Sequence, residues 1–485
     1  MSLSFTRKAV LTLLASTSVS ACATMAPKYE RPSAPIADTL PYAEDRSEET
    51  ASHISWRIVF TDPVLQGLIE TALANNRDLR VAALNVERAR ALYRVQRADS
   101  LPTVAASGDY SRQRLGENAS IGIAGAPSTP GTGPIKIEQF SVSAGVSAYE
   151  LDLFGRVRSL NRQALETYLA TDEARKAAEI SLVAEVANAY LQLAADRELL
   201  SLARDTFSSQ QKSLELTTQL VKNGVGNDLD VQRARTSIER ARADAATSQA
   251  QVERDENALR LLLGTVLPET QDAGDLGAVD IRREIPVGVS SDVLLDRPDV
   301  LAAENRLKAA NANIGAARAA FFPRILLTAS AGTASAELSD LFSGGTGVWS
   351  FAPSVSIPIF TGGRNRAQLG AAKIDREIAQ AEYERAIQTA FREVADALAT
   401  RRTIGERLDA TINLADASAK TYALAEARFR NGVDDYLAVL DAQRADYAAR
   451  RELVAARLDE AANVIALYRA LGGEFDARSA ISSAD

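Results

Sequence analysis

Hydrophobic and polar positions alternate in four short stretches of this chain and recur with helical spacing almost everywhere else. After Pro102, Val104, Ala106, Gly108 and Tyr110 share one side against Thr103, Ser107, Asp109 and Ser111. From Phe140 onward, Val142, Ala144, Val146 and Ala148 oppose Ser141, Ser143 and Ser147. Later, Ile325, Leu327, Ala329 and Ala331 oppose Arg324, Thr328 and Ser330, and Phe351, Val355, Ile357 and Ile359 oppose Ser354 and Ser356. A period of two with one apolar and one small polar face predicts strands of about ten residues. That is the pattern of membrane-spanning strands, and equally of a half-buried soluble sheet.

The helical stretches are far longer. Arg156–Lys222 contains neither Pro nor Gly over 67 residues, which at ~1.5 Å per residue predicts a helix of roughly 100 Å. Asp228–Leu263 is also free of both, and a second such pair follows with only Gly370 and Gly405 interrupting and no Pro. Leu182, Val183, Val186, Ala189, Tyr190 and Leu193 follow i, i+3, i+4, i+7 spacing, so one stripe of the first helix needs a partner. Turns at Asn-Gly sites predict antiparallel coiled-coil hairpins with tips at residues 223–228 and 431–435.

The chain is duplicated. Asp78-Leu79-Arg80-Val81-Ala82-Ala83 recurs from Asp299, and Leu101-Pro102 recurs as Phe322-Pro323, both 221 residues on. Gly155-Arg156 then matches Gly363-Arg364 at an offset of 208, which holds for Asn223-Gly224-Val225 with Asn431-Gly432-Val433 and for Leu263-Gly264 with Leu471-Gly472. The 13 extra residues of the first copy fall between Pro102 and Gly155, where 116–133 is rich in Gly, Pro, Ser and Thr and predicts an exposed loop. The expected organisation is a first repeat over 61–264, with a β-hairpin at about 102–153 and a helical hairpin at about 155–263. A crossover over 265–296 leads to a second repeat over 297–472, with hairpins at about 323–360 and 363–471, and a tail over 473–485. Four strands cannot close a barrel, and an open edge in lipid leaves backbone groups without partners at several kcal/mol each. Other copies must complete the sheet; two would give eight strands and three would give twelve.

Composition narrows the function. With 63 acidic and 55 basic residues the net charge is -8 and no basic face is concentrated, which argues against a nucleic-acid partner. Arg7 and Lys8, an apolar run, and then Val19-Ser20-Ala21-Cys22 have the form of an export signal over 1–21 ending in a lipobox. Cys22, the only cysteine, is the expected lipidation site, and several acyl chains give stable anchoring where one does not. Ala23 and Thr24 follow without an Asp, which fits transfer to the outer membrane. The Pro-rich stretch after Cys22 predicts an extended tether over 22–60. His53 is the only histidine and no phosphate-binding Gly-rich loop is present, so no catalytic, metal or cofactor site can be assembled and the chain is not expected to be an enzyme.

Three runs carry a resemblance: Arg297-Pro298-Asp299-Val300 through Ala309-Ala310-Asn311 to Phe321-Phe322-Pro323; Phe360-Thr361-Gly362-Gly363-Arg364; and Tyr436-Leu437 through Asp441-Ala442-Gln443-Arg444. They are very similar to the lipoprotein branch of the TolC-like outer-membrane factor family, the exit ducts of tripartite RND-type efflux systems. The resemblance implies a mainly α protomer with a small membrane β part, and a homotrimer with a 12-stranded β-barrel continued by a 12-helix tunnel through the periplasm. It implies a periplasmic adaptor and an inner-membrane transporter as partners. It further implies a periplasmic gate at Leu437 and Asp441, one helical turn apart, although Asp441 also reads as an ordinary solvated helix charge. Position 233, its counterpart in the first hairpin, is Arg233. Adaptor docking falls on the tips, at Gly224, Asp228, Gly432, Asp434 and Asp435, where the glycines read equally as left-handed helix caps. Competing readings are a type I protein-secretion duct and a periplasmic coiled-coil scaffold or adaptor.

Overall fold

The computed structural model describes residues 24–42, 55–115, 135–266, 276–282 and 290–473. Cys22, the expected loop over 116–133 and the tail beyond 473 lie outside the described residues. Two compact units emerge. One comprises residues up to 31 with Arg88–Tyr168 and Asn305–Ala379; the other comprises Pro32–Glu87, Leu169–Glu304 and the chain from Gln380 onward.

The first unit holds a four-stranded antiparallel sheet of order β1-β2-β3-β4, formed by Val104–Leu115, Ile135–Leu151, Arg324–Ser335 and Gly347–Ser356. The register continues the alternation across the strands. Ala106, Ala144, Ala331 and Trp349 line up, as do Val104, Val146, Ala329 and Phe351, while Ser107, Ser143 and Gly332 lie on the opposite face. Small residues there are obligatory at Gly145 and Gly332, because a Cβ on either would strike the backbone of the adjacent strand. β1 and β4 are edges, and Trp349 is 79% exposed.

Two readings of the strands are corrected. Ala148 does not continue the Val142–Val146 face: a bulge between Val146 and Tyr149, with Ala148 at φ 55°, inserts one residue and moves Tyr149 and Leu151 opposite Leu327 and Ile325. Ile357 and Ile359 fall beyond β4, which ends at Ser356 before Pro358, a residue without a ladder donor.

The helices follow the duplication. α1 (Pro63–Asn75) starts behind Asp62, whose carboxylate accepts from Leu65 N at 2.8 Å, and buries Leu65, Leu68, Ile69 and Ala72. α2 is Arg77–Ala98 and α3 is Arg156–Lys222; α4 is Asp228–Leu263, α5 is Pro298–Ala319, α6 is Arg364–Arg430 and α7 is Tyr436–Ala470. α3 and α6 both run 67 residues, and α6 continues unbroken through Gly370 and Gly405. The paired glycines 155 and 363, 224 and 432, and 264 and 472 all have positive φ, so each copy enters its long helix after a left-handed glycine and ends both helices at left-handed stops.

The predicted stripe on α3 is wider than its spacing implies. Leu182, Val183, Val186, Tyr190 and Leu193 are buried, but so are Ala184, Ala187, Leu191 and Ala194, with Ala189 half-buried, so this stretch is enclosed on more than one side. Residues 55–60, at the end of the expected tether, bury Trp56, Val59 and Phe60, and Phe60 meets Tyr468 edge-on at 5.5 Å. Arg297 is buried at the start of α5, donating to Asp299 at 2.7 Å, to Glu393 of α6 at 2.9 Å, and to the Ala470 carbonyl that ends α7. One guanidinium thereby ties the start of α5 to α6 and to the end of α7.

Equal length does not mean equal burial. α2 and α5 are corresponding 22-residue helices, yet α5 buries Val300, Leu307 and Ile314 while α2 buries no residue at all. Val81, Leu84, Leu92 and Val95, each more than half exposed, form an unpartnered apolar stripe on α2.

Candidate functional site

Both hairpin tips are five-residue turns closed by a left-handed glycine and a side-chain cap. In the first, Gly224 has φ 76° and Asn227 accepts from Leu229 N at 2.6 Å; Asp228 opens α4 and is exposed. In the second, Gly432 has φ 73° and Asp435 accepts from Ala438 N at 3.1 Å. Asp434 is clamped by Arg428 through two bonds of 2.6 and 2.8 Å, and this guanidinium holds its carboxyl below the usual range. A cavity of about 440 Å³ opens between the tips, lined by Leu220, Val225, Asn227, Phe429, Gly432 and Asp434 among others.

The first turns of α7 divide sharply by face. Tyr436, Val439 and Leu440 are buried with Ala234 of α4, and Leu214, Tyr422 and Phe429 pack around them. Leu437 and Asp441 lie on the exposed face, 37% exposed at Leu437 and 65% at the Asp441 side chain. The fold therefore brings the two expected gate residues together on one free surface. Sequence reading missed Arg444, whose guanidinium sits 3.9 Å from Asp441 one turn on; its i, i+3 spacing was the available signal. Arg233, the counterpart of Asp441, pairs with Asp230 at 3.3 Å.

Behind this face lies a polar link that the sequence did not flag. Gln210 of α3 donates to Gln443 of α7 at 2.6 Å, Gln443 donates to Ser209 at 3.3 Å, and Ser209 and the Tyr422 hydroxyl of α6 are 3.1 Å apart. Burial pushes the Tyr422 and Tyr436 phenols up, so both stay neutral. Three helices are thus joined by uncharged bonds beneath the exposed carboxylates.

The family described as outer membrane efflux protein matches residues 68–265 and 289–473, one segment for each structural copy. The chain belongs to that family. The antibiotic efflux pump outer membrane protein ArpC of Pseudomonas putida is 47% identical over 473 residues, 96% of each chain. The toluene efflux pump outer membrane protein TtgC, also of Pseudomonas putida, is 46% identical over 473 residues, again 96% of each. Among solved structures, the open state of the Neisseria gonorrhoeae MtrE outer membrane channel superposes with a TM-score of 0.83 at 42% identity, covering 93% of this chain and 98% of that one. This outer membrane efflux protein is an exit duct of an efflux pump, and its place is the outer membrane. The four strands are its membrane part; among the described residues no helix is long and apolar enough to cross a bilayer.

Proposed function

We propose that three copies of this chain close a 12-stranded barrel and a 12-helix tunnel, and that Leu437 and Asp441 form the periplasmic gate of that tunnel. The observation that carries the reading is the pair of open sheet edges on β1 and β4, which lipid cannot satisfy. The bare apolar stripe of α2 supports it, since a neighbouring copy would cover that surface. Threefold symmetry turns each exposed gate residue into a ring: Leu437 an apolar constriction and Asp441 a carboxylate ring moderated by Arg444. An adaptor docks at the tips around Gly224, Asp228, Gly432, Asp434 and Asp435, and the cavity between them favours that surface. Docking biases a shear of the packed helices that widens the rings.

The duct is passive, driven by an inner-membrane transporter, and a lipid on Cys22 anchors the protomer. The names of the relatives favour antibiotics and solvents as cargo over secreted proteins. Planar-bilayer recording tests the gate: Leu437→Ala and Asp441→Ala should each raise single-channel conductance several-fold, and unchanged conductance in both contradicts the assignment.

A further inference from the structure

Residues 24–29 are tightly held within the sheet-bearing unit. The Thr24 hydroxyl is 3.0 Å from that of Ser159 on α3, and Arg318 of α5 donates to the Met25 carbonyl at 3.0 Å. Asn311 donates to the Pro27 carbonyl at 2.8 Å, and the Lys308 ammonium lies over the Tyr29 ring at 5.5 Å. The segment lies so close to α5 that a Cβ on Gly315 would meet Ala26 N at 2.7 Å and the Ser159 hydroxyl at 2.5 Å. Helix, backbone and small residue are therefore matched to fix this stretch in one place.

Beside it lies an open cavity of about 560 Å³, lined by Met25, Ala26, Arg318, Phe321, Phe322 and Leu369. Its apolar wall is accessible: Phe321 is 43% and Phe322 39% exposed, and Phe322 stacks on Phe154 at 4.9 Å. The two phenylalanines directly precede Pro323 and the start of β3 at Arg324, so the groove adjoins the strand ends. An apolar surface of this kind takes a hydrocarbon, with no directional bonds required.

Chain geometry selects the occupant. Cys22 precedes Thr24 by two residues, and two Cα–Cα steps span at most about 7.6 Å. An acyl chain carried by Cys22 is thus within reach of the groove, whose lining includes Thr24, and would be presented there at high effective concentration, unlike a free phospholipid. We infer that this groove seats one acyl chain of the lipid on Cys22, so that the anchor is a docked part of the protomer. The inference rests on the lipidation of Cys22 proposed above.

The test uses the full chain purified from outer membranes, with p-benzoylphenylalanine in place of Leu369 or, separately, Phe321, and Ile378 as a control on the same helix as Leu369. Mass spectrometry of the N-terminal peptide is read first; an unmodified Cys22 overturns the lipid reading and the inference with it. With Cys22 lipidated, irradiation should join positions 369 and 321 to the acyl chains of the Cys22 lipopeptide, several-fold more than position 378. Crosslinks only to free phospholipid, or equal yields at all three positions, overturn the docked acyl chain and leave the lipid anchor standing.

Discussion

The two helical hairpins share their geometry and differ in their polar chemistry. Both begin with a 67-residue helix, turn through a left-handed glycine and return through helices of 36 and 35 residues. At the offset of 208, Arg233 stands where the second hairpin has Asp441, Gly226 where it has Asp434, and Arg235 where it has Gln443. In the other direction, Asp196 and Asp255 of the first hairpin correspond to Ile404 and Asn463 of the second. Duplication preserved the helical frame, while each copy carries its own charged groups at positions where the other has none or the opposite sign. A pore with two kinds of hairpin can hold one set still and move the other.

The largest effect expected from breaking this comparison is on conductance. Asp441→Ala and Leu437→Ala should open the channel several-fold, whereas Arg233→Ala and Leu229→Ala at the matching first-hairpin sites should leave single-channel conductance within experimental scatter. Equal effects from both sets would make the hairpins equivalent.

Next comes the buried link. Gln443→Leu strands Gln210, which is only 4% exposed, and should destabilise the protein by about 1–3 kcal/mol in denaturant unfolding. Arg235→Leu, at the exposed counterpart, should stay within about 0.5 kcal/mol.

A smaller effect is pH-dependent and belongs to the first hairpin. Asp255 faces Asp196 across α3 and α4, and burial followed by its bond to Asp196 pushes its carboxyl from 3.8 up to about 6. Gln251 at 2.8 Å and Arg254 oppose the shift, while Gln192 donates to Asp196 at 2.7 Å. Because the folded state favours the protonated Asp255 carboxyl, that stabilisation is complete below the unfolded value near 3.8 and is lost as pH rises through about 6. Asp255→Asn should therefore gain about 1 kcal/mol at pH 7.5, after solvent screening of this partly exposed group, and almost nothing at pH 4. Thermal melts in detergent at the two pH values read the difference. Asn463→Asp would sharpen it, since it costs the Ala397 carbonyl the 3.0 Å bond now donated by Asn463.

The smallest effect is at the second tip. Arg428→Ala frees Asp434 and should leave the melting temperature unchanged, while amide hydrogen exchange over 431–435 accelerates relative to 223–227.

Much of the fold was legible because it was written twice. Pro- and Gly-free runs, Asn-Gly turns and a constant offset located the long helices and their tips, and the spacing of Leu437 and Asp441 implied the shared face, whose exposure the structure adds. The bulge at Ala148 was not legible, since Tyr149 and Leu151 have the wrong parity until a neighbouring strand fixes the register. The Gln210–Gln443 bond joins residues 233 positions apart, and no local pattern marks such a partner. The bareness of α2 was equally hidden, because its sequence resembles that of buried α5 over the repeated motif.

All of this depends on closure of the sheet by further copies. Native mass spectrometry of the detergent-extracted protein tests it most directly: the account expects a single species at three times the protomer mass, and a monodisperse monomer that remains soluble once lipid and detergent are removed would contradict it.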